Sequence, residues 1–306
     1  MEIQLMKLSK EAFACAREFI YENARPLDRS LFDFLFEDGP RDVVVDELGK
    51  YQNSDGGYGH GLESDIRLKA SSPIVTSVGL QYCKDIDATA DEDIVSEAIQ
   101  YLLSTYDKVH GYWPYTFLDV NDEPHAPWWN LEEVKPPSEE SWANPSVELA
   151  GYIYRYRSLV PDEFVVSLNR RLDMNIKSSE YIEGLYKVMC WERAYREFPE
   201  PLQSMVVDKI RRTFERDAPY TQKDLGEIRI FWLAPDTDAI LLAYPENVYN
   251  LMHQELEKQA DDGGWWPTWR WGQYEEVWPI AEKEWAGKIT LNCLKAFTNL
   301  VGLNEK

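Results

Sequence analysis

The chain has 306 residues, 44% of them hydrophobic, which supplies enough apolar surface for a substantial core and excludes global disorder. Lys and Arg number 32 against 54 Asp and Glu, and the net charge of −22 repels phosphate backbones and anionic lipid headgroups, excluding nucleic acid and membrane surfaces as partners. No uncharged apolar run approaches the ~20 residues that a bilayer span needs.

In chain order, apolar residues recur at helical spacing near 10–23, 28–36 and 40–52. The third of these helices runs into YQNSDGGYG (51–59) and then HGLESDIR (60–67). A helix near 72–85 follows. In DEDIVSEAIQYLLSTY the pairs Ile94/Val95, Ala98/Ile99 and Leu102/Leu103 draw one apolar stripe on the next helix. TYDKVHGYWP (105–114) ends it and opens a Pro- and Trp-rich segment at about 110–142 with no periodicity, the pattern of a lid or binding loop. Further helical patterns lie near 145–158, 161–175, 181–197, 201–216, 236–244 and 247–258. QADDGGWWP (259–267) then begins a tryptophan-rich stretch, and a last helix is expected near 286–300. Alternating strands are absent. The expectation is an all-α chain of about a dozen helices forming one domain, 1–306.

Three helices thus end in an acidic residue, glycine and an aromatic. Glycine past a helix C-terminus takes the left-handed conformation that caps the last carbonyls, and the aromatic folds back on the helix end. A dozen helices paired in this way make about six hairpins, and six hairpins closed in a ring make an (α/α)6 toroid around a central cavity. QNSDGGYG (52–59) and QADDGGWW (259–266) resemble the Q-x-x-D-G-G-aromatic turns repeated in terpenoid cyclases and protein prenyltransferase β subunits. The resemblance implies that toroid, with Gln52, Asp55, Gly57, Tyr58, Gln259, Asp262, Gly264 and Trp265 bracing adjacent hairpins. It further implies a hydrophobic or isoprenoid-type substrate.

The glycine-rich loop is not a phosphate cradle, because its glycines follow a helix and carboxylates crowd it. Nor is it a calcium loop: Tyr58 falls where the sharp-turn glycine belongs and Ser64 where the bidentate Glu should be. The continuation HGLESDIR places His60, Glu63, Asp65 and Arg67 just before a helix start, with Glu63 or Asp65 a candidate general acid or base. FWLAPDTDAILL sets Asp236 and Asp238 between apolar runs, where burial would raise a carboxylate pKa toward the donating range. Asp236-Thr237-Asp238-Ala239 matches the first and third acids of the D-x-D-D motif of proton-initiating cyclases. Ala239 replaces the fourth, which argues against that chemistry. The magnesium-binding D-D-x-x-D motif is absent, and the four His and four Cys show no ligand spacing, so neither metal nor cofactor is expected.

Aromatic rings next to carboxylates suit isoprenoid cations, stabilised by π faces, or sugar rings, stacked on Trp while acids attack the glycosidic bond. The candidate binding residues are His60, Arg67, Trp113, His125, Trp128, Trp129, Trp142, Trp266, Trp269 and Trp271. The expected ligand is a small molecule or oligosaccharide, with a carbohydrate-active hydrolase or lyase, or a non-catalytic binding toroid, as the alternatives to a cyclase-like enzyme. The isolated cysteines Cys15, Cys83, Cys190 and Cys293 suit a reducing compartment, and the expected location is the cytoplasm.

Overall fold

The computed structural model describes residues 8–217, 229–243 and 245–301. These residues contain thirteen α-helices and, apart from three isolated bridges, no strand pairing. The helices are α1 (Lys10–Asn23), α2 (Pro26–Phe36), α3 (Arg41–Gly49), α4 (Pro73–Asp85), α5 (Asp93–Thr105), α6 (Ala143–Arg155) and α7 (Asp162–Ser178). They continue with α8 (Leu185–Ala194), α9 (Leu202–Asp217), α10 (Ile230–Leu233), α11 (Asp238–Ala243), α12 (Pro245–Leu256) and α13 (Trp278–Val301). The all-α expectation holds, with two differences along the chain. The short α10 has too few residues to show a period. The last helix starts at Trp278 rather than near 286, because Pro279 falls in its first turn, where proline costs no hydrogen bond.

Start signals explain the boundaries. Ser9 and Ser72 accept from the N–H groups of Ala12 and Val75, capping α1 and α4. Pro26 and Pro73 stand in the first turns of α2 and α4. Glu192, on α8, accepts from the backbone N–H groups of Ala239 at 2.6 Å and Ile240 at 3.1 Å, and so caps α11 from a neighbouring helix.

Sequential helices pack as neighbours, α1 on α2, α2 on α3 and α4 on α5. A second set of contacts links α4 to α6, α6 to α8, α8 to α10, α10 to α13 and α13 back to α2, while α13 also packs along α1. The C-terminal helix therefore returns to the N-terminal hairpin. Gly287 marks the contact, since a Cβ there would lie 2.7 Å from Ala24 Cα.

The two Q-x-x-D-G-G turns are built alike. Gly57 N–H donates to Asp55 Oδ1 and Gly264 N–H to Asp262 Oδ1, each at 3.0 Å. Tyr58 N–H donates to Thr76 Oγ1 and Trp265 N–H to Thr290 Oγ1. Gln52 Nε2 donates to Gly56 O at 2.9 Å and Ile94 O at 3.4 Å, reaching the first turn of α5. Gln259 Nε2 donates to Gly263 O at 2.8 Å and Ala12 O at 2.9 Å, reaching the first turn of α1. Gly56 (φ +85°) and Gly263 (φ +89°) are left-handed, and a Cβ would come within 2.3 Å of Glu97 O and 2.4 Å of Cys15 O. Each turn thus clamps its own hairpin onto a neighbouring helix through contacts that only glycine permits. Tyr58 and Trp265, both fully buried, anchor the clamps.

Candidate active site

A cavity of about 820 Å³ opens inside the helical assembly, within the usual range of small-molecule sites. Ile74, Asn144 and Tyr186, the second residues of α4, α6 and α8, all line it, and each of these helices contributes further residues one or two turns along. Gln81, Glu148, Arg193, Lys288 and Asn292 line the deep end and make it polar. Trp128, Trp129, Trp232, Trp269 and Trp285, with Tyr115, provide aromatic walls. Trp269 meets Trp285 edge-on with centroids 5.2 Å apart, and Trp232 lies 5.9 Å from Trp269.

Glu63 and Asp65 enter this cavity from the loop that follows the first Q-x-x-D-G-G turn. Leu62 and Ile66, fully buried, fix the loop from the core side, and Arg25 donates to Leu62 O at 2.8 Å. Arg25 is itself held by Asp28 at 2.7 Å. The other side of the loop is tied to the long aromatic segment: Ala126 N–H donates to Asp65 O and Arg67 N–H to Pro124 O, each at 2.9 Å. Asp65 is 5% exposed and Glu63 9%. Asp65 Oδ1 accepts from the indole N–H groups of Trp271 at 2.7 Å and Trp285 at 2.8 Å. The indole of Trp269 also lies close enough to favour the Asp65 carboxylate.

Burial, followed by the negative field of Glu63, pushes the Asp65 carboxyl up to about 7 against the pull of the indoles. Burial likewise raises Glu63, opposed first by the Lys288 ammonium. Burial pulls Lys288 down to about 8, opposed by Glu63. The third acid, Glu148, is fully engaged: Arg193 donates to it at 2.7 Å, Gln81 at 2.8 Å and the Tyr152 hydroxyl at 3.1 Å. Two neighbouring buried acids, one of them titrating near neutrality, have the chemistry that acid–base work requires.

Of the candidate residues, Glu63, Asp65, Trp128, Trp129 and Trp269 line the cavity, and Trp271 supports Asp65 from behind. The others lie elsewhere. Asp236 and Asp238 pair with Lys84 (3.8 Å) and Arg196 (2.9 Å), with about a third of each carboxylate side chain exposed, and do not line it. The buried carboxylate of that region is instead the cap Glu192. His60 bonds Asn53, and Arg67 pairs with Glu284 at 2.5 Å. His125 is buried between Glu123 O and Asn130 Oδ1 and pins the long loop. Trp113 is core, packed on Tyr106 and Phe164. Trp142 donates to Gly111 O beneath the Arg171 guanidinium, and Trp266 donates to Asp262. Sequence reasoning had not picked out Glu148, Arg193, Trp232, Trp285, Lys288 and Asn292. Their signal is a polar or bulky side chain at an inward position of a buried helix, as in WAGKITLN.

The described residues contain no cluster of His, Cys, Asp and Glu able to hold a metal ion, and no helix among them is long and apolar enough to cross a membrane. No protein-family model matches the chain, and no match was found among curated proteins or solved structures.

Proposed function

We propose that the protein is a saccharide-cleaving acid–base enzyme, a hydrolase or lyase, built on an (α/α)6 toroid whose hollow is the cavity. The observation that carries this reading is the Glu63–Asp65 pair set inside an aromatic-walled cavity with a polar deep end. Indole faces stack on sugar rings, while the polar groups of the lining suit a ligand that carries hydroxyl groups. Asp65, protonated near neutrality, gives its proton to the glycosidic oxygen as the bond to carbon breaks. Glu63, whose rise the Lys288 ammonium opposes, takes a proton from water in a hydrolase or from carbon in a lyase.

The contacts from α4 round to α13 and back to α2, with the paired Q-x-x-D-G-G clamps, support the closed ring. The four free thiols fit a reducing compartment, the cytoplasm. An isoprenoid substrate, the terpenoid-cyclase-like reading, finds its support in the tryptophan walls alone. A hydrocarbon would leave the Lys288 ammonium desolvated without an acceptor.

The test is a panel of defined oligosaccharides incubated with the wild type and with Asp65→Asn. New reducing ends, or new absorbance from an unsaturated product, are expected with the wild type and not with the variant. Equal turnover by the two proteins would remove Asp65 from the chemistry. Failure of every oligosaccharide to be cleaved or to perturb tryptophan fluorescence at millimolar concentration would overturn the saccharide reading.

A further inference from the structure

One cation in the cavity has no direct partner. Lys288, on α13, is 8% exposed, and its ammonium has neither a hydrogen bond nor a carboxylate within salt-bridge distance among the described residues. Its contact is with the face of Tyr82, 5.4 Å from the ring centroid. The other charged groups near it are already matched. Arg25 is bound to Asp28 at 2.7 Å and Arg193 to Glu148 at 2.7 Å. Glu63 is the remaining counter-charge, and it lies beyond direct contact, its Oε1 accepting only from Asp65 N–H at 3.4 Å. A buried ammonium with three donors and no acceptor is a costly arrangement unless something supplies the acceptor.

The guanidinium groups that would clamp a dianion in bidentate fashion are spent on Asp28 and Glu148, which leaves one point charge. One point charge suits a carboxylate, with a single negative charge, better than a phosphate.

We infer that Lys288 docks a carboxylate of the ligand, so that the cavity takes an acidic saccharide, a uronate-type sugar, in preference to a neutral one. The inference deepens the saccharide reading above and rests on it for the sugar, though not for the carboxylate. The acid's negative group occupies the deep end beside Lys288, and its ring lies between the tryptophan walls within reach of Asp65.

Calorimetry with trigalacturonate and with its neutral methyl ester tests this on the whole chain, with Lys288→Met and Lys288→Arg alongside. A charge-assisted contact predicts that the wild type binds the acid about tenfold or more tighter than the ester. Lys288→Met levels the two, while Lys288→Arg keeps most of the preference. Lys288→Gln replaces the methionine variant should that one fail to fold, as judged by its melting curve. Equal affinities in the wild type, or a preference that survives loss of the charge, would overturn the docking role and leave the saccharide reading intact. If neither sugar binds but 1-naphthoate binds over 1-naphthamide by a margin that Lys288→Met removes, the carboxylate site stands and the saccharide does not. If none of the four compounds binds, both fall.

Discussion

The turns at 52–58 and 259–265 share a hydrogen-bond pattern almost atom for atom, yet the segments that leave them have opposite chemistry. The first continues into HGLESDIR and delivers the two acids. The second continues into WWPTWRWG and delivers indoles, one of which donates to Asp65. The repeated turn fixes where a loop enters the interior, and the unrepeated loop decides what it does there. This separates a structural unit from a chemical one within a dozen residues, and the two halves meet at a single carboxylate oxygen.

The comparison is broken most severely at that carboxylate. Asp65→Asn is expected to lower the rate of glycan cleavage by about 10²–10⁴-fold, the usual weight of a general acid. It should also stabilise the fold at alkaline pH. Asp65 loses its proton at about 7 in the folded protein and near 3.8 when unfolded, so the folded form keeps a proton that the unfolded form has shed. Stability contributed by this group is therefore fully present below about pH 4 and is lost as pH rises through about 7. Melting curves at pH 5 and pH 8 should show the wild type falling further than the variant between the two; parallel curves would contradict the raised carboxyl.

The structural half is tested by Gly56→Ala and Gly263→Ala. A left-handed alanine pressed against a backbone carbonyl is expected to cost about 2–4 kcal/mol at either turn. Urea midpoints should drop by similar amounts, and a neutral result at one site would show that the two turns are not equivalent. A smaller effect is expected where the loops join. Trp271→Phe removes one of the indole donors to Asp65 and should raise the acidic group's titration, seen in the pH–rate profile, by about one unit. Smallest of all, Asp236→Asn and Asp238→Asn should each shift stability by less than about 1 kcal/mol, as part-exposed ion pairs do, and leave turnover unchanged.

The helices were legible because their stripes are long and uninterrupted; α5, with Ile94, Val95, Ala98, Ile99 and Leu102 all buried, shows why. Glu63 and Asp65 were legible as two carboxylates close together in a loop directly after a capping turn, although their neighbours His60 and Arg67 turned to Asn53 and Glu284. The deep polar residues were less so. Glu148, Arg193 and Lys288 are single charges inside apolar stripes, and which side of a buried helix faces a cavity is a tertiary fact. Asp236 and Asp238 misled in the opposite direction. Their flanks Phe231, Trp232 and Ile240 are buried, but the carboxylates themselves sit at a helix start and turn to Lys84 and Arg196. The tryptophans divide for the same reason: Trp113 and Trp142 are packed into the core while Trp128 and Trp129 line the cavity, and composition alone cannot sort them.

Asp65 and the two indoles that hold it are 206 and 220 residues apart along the chain. On a translating ribosome the acid is made long before its donors, and the nascent chain carries a carboxylate that nothing yet restrains. Only when Trp271 and Trp285 have emerged is that group captured, so completion of the Asp65 contacts is among the last events of biosynthesis, and no intermediate truncated before Trp271 can possess them.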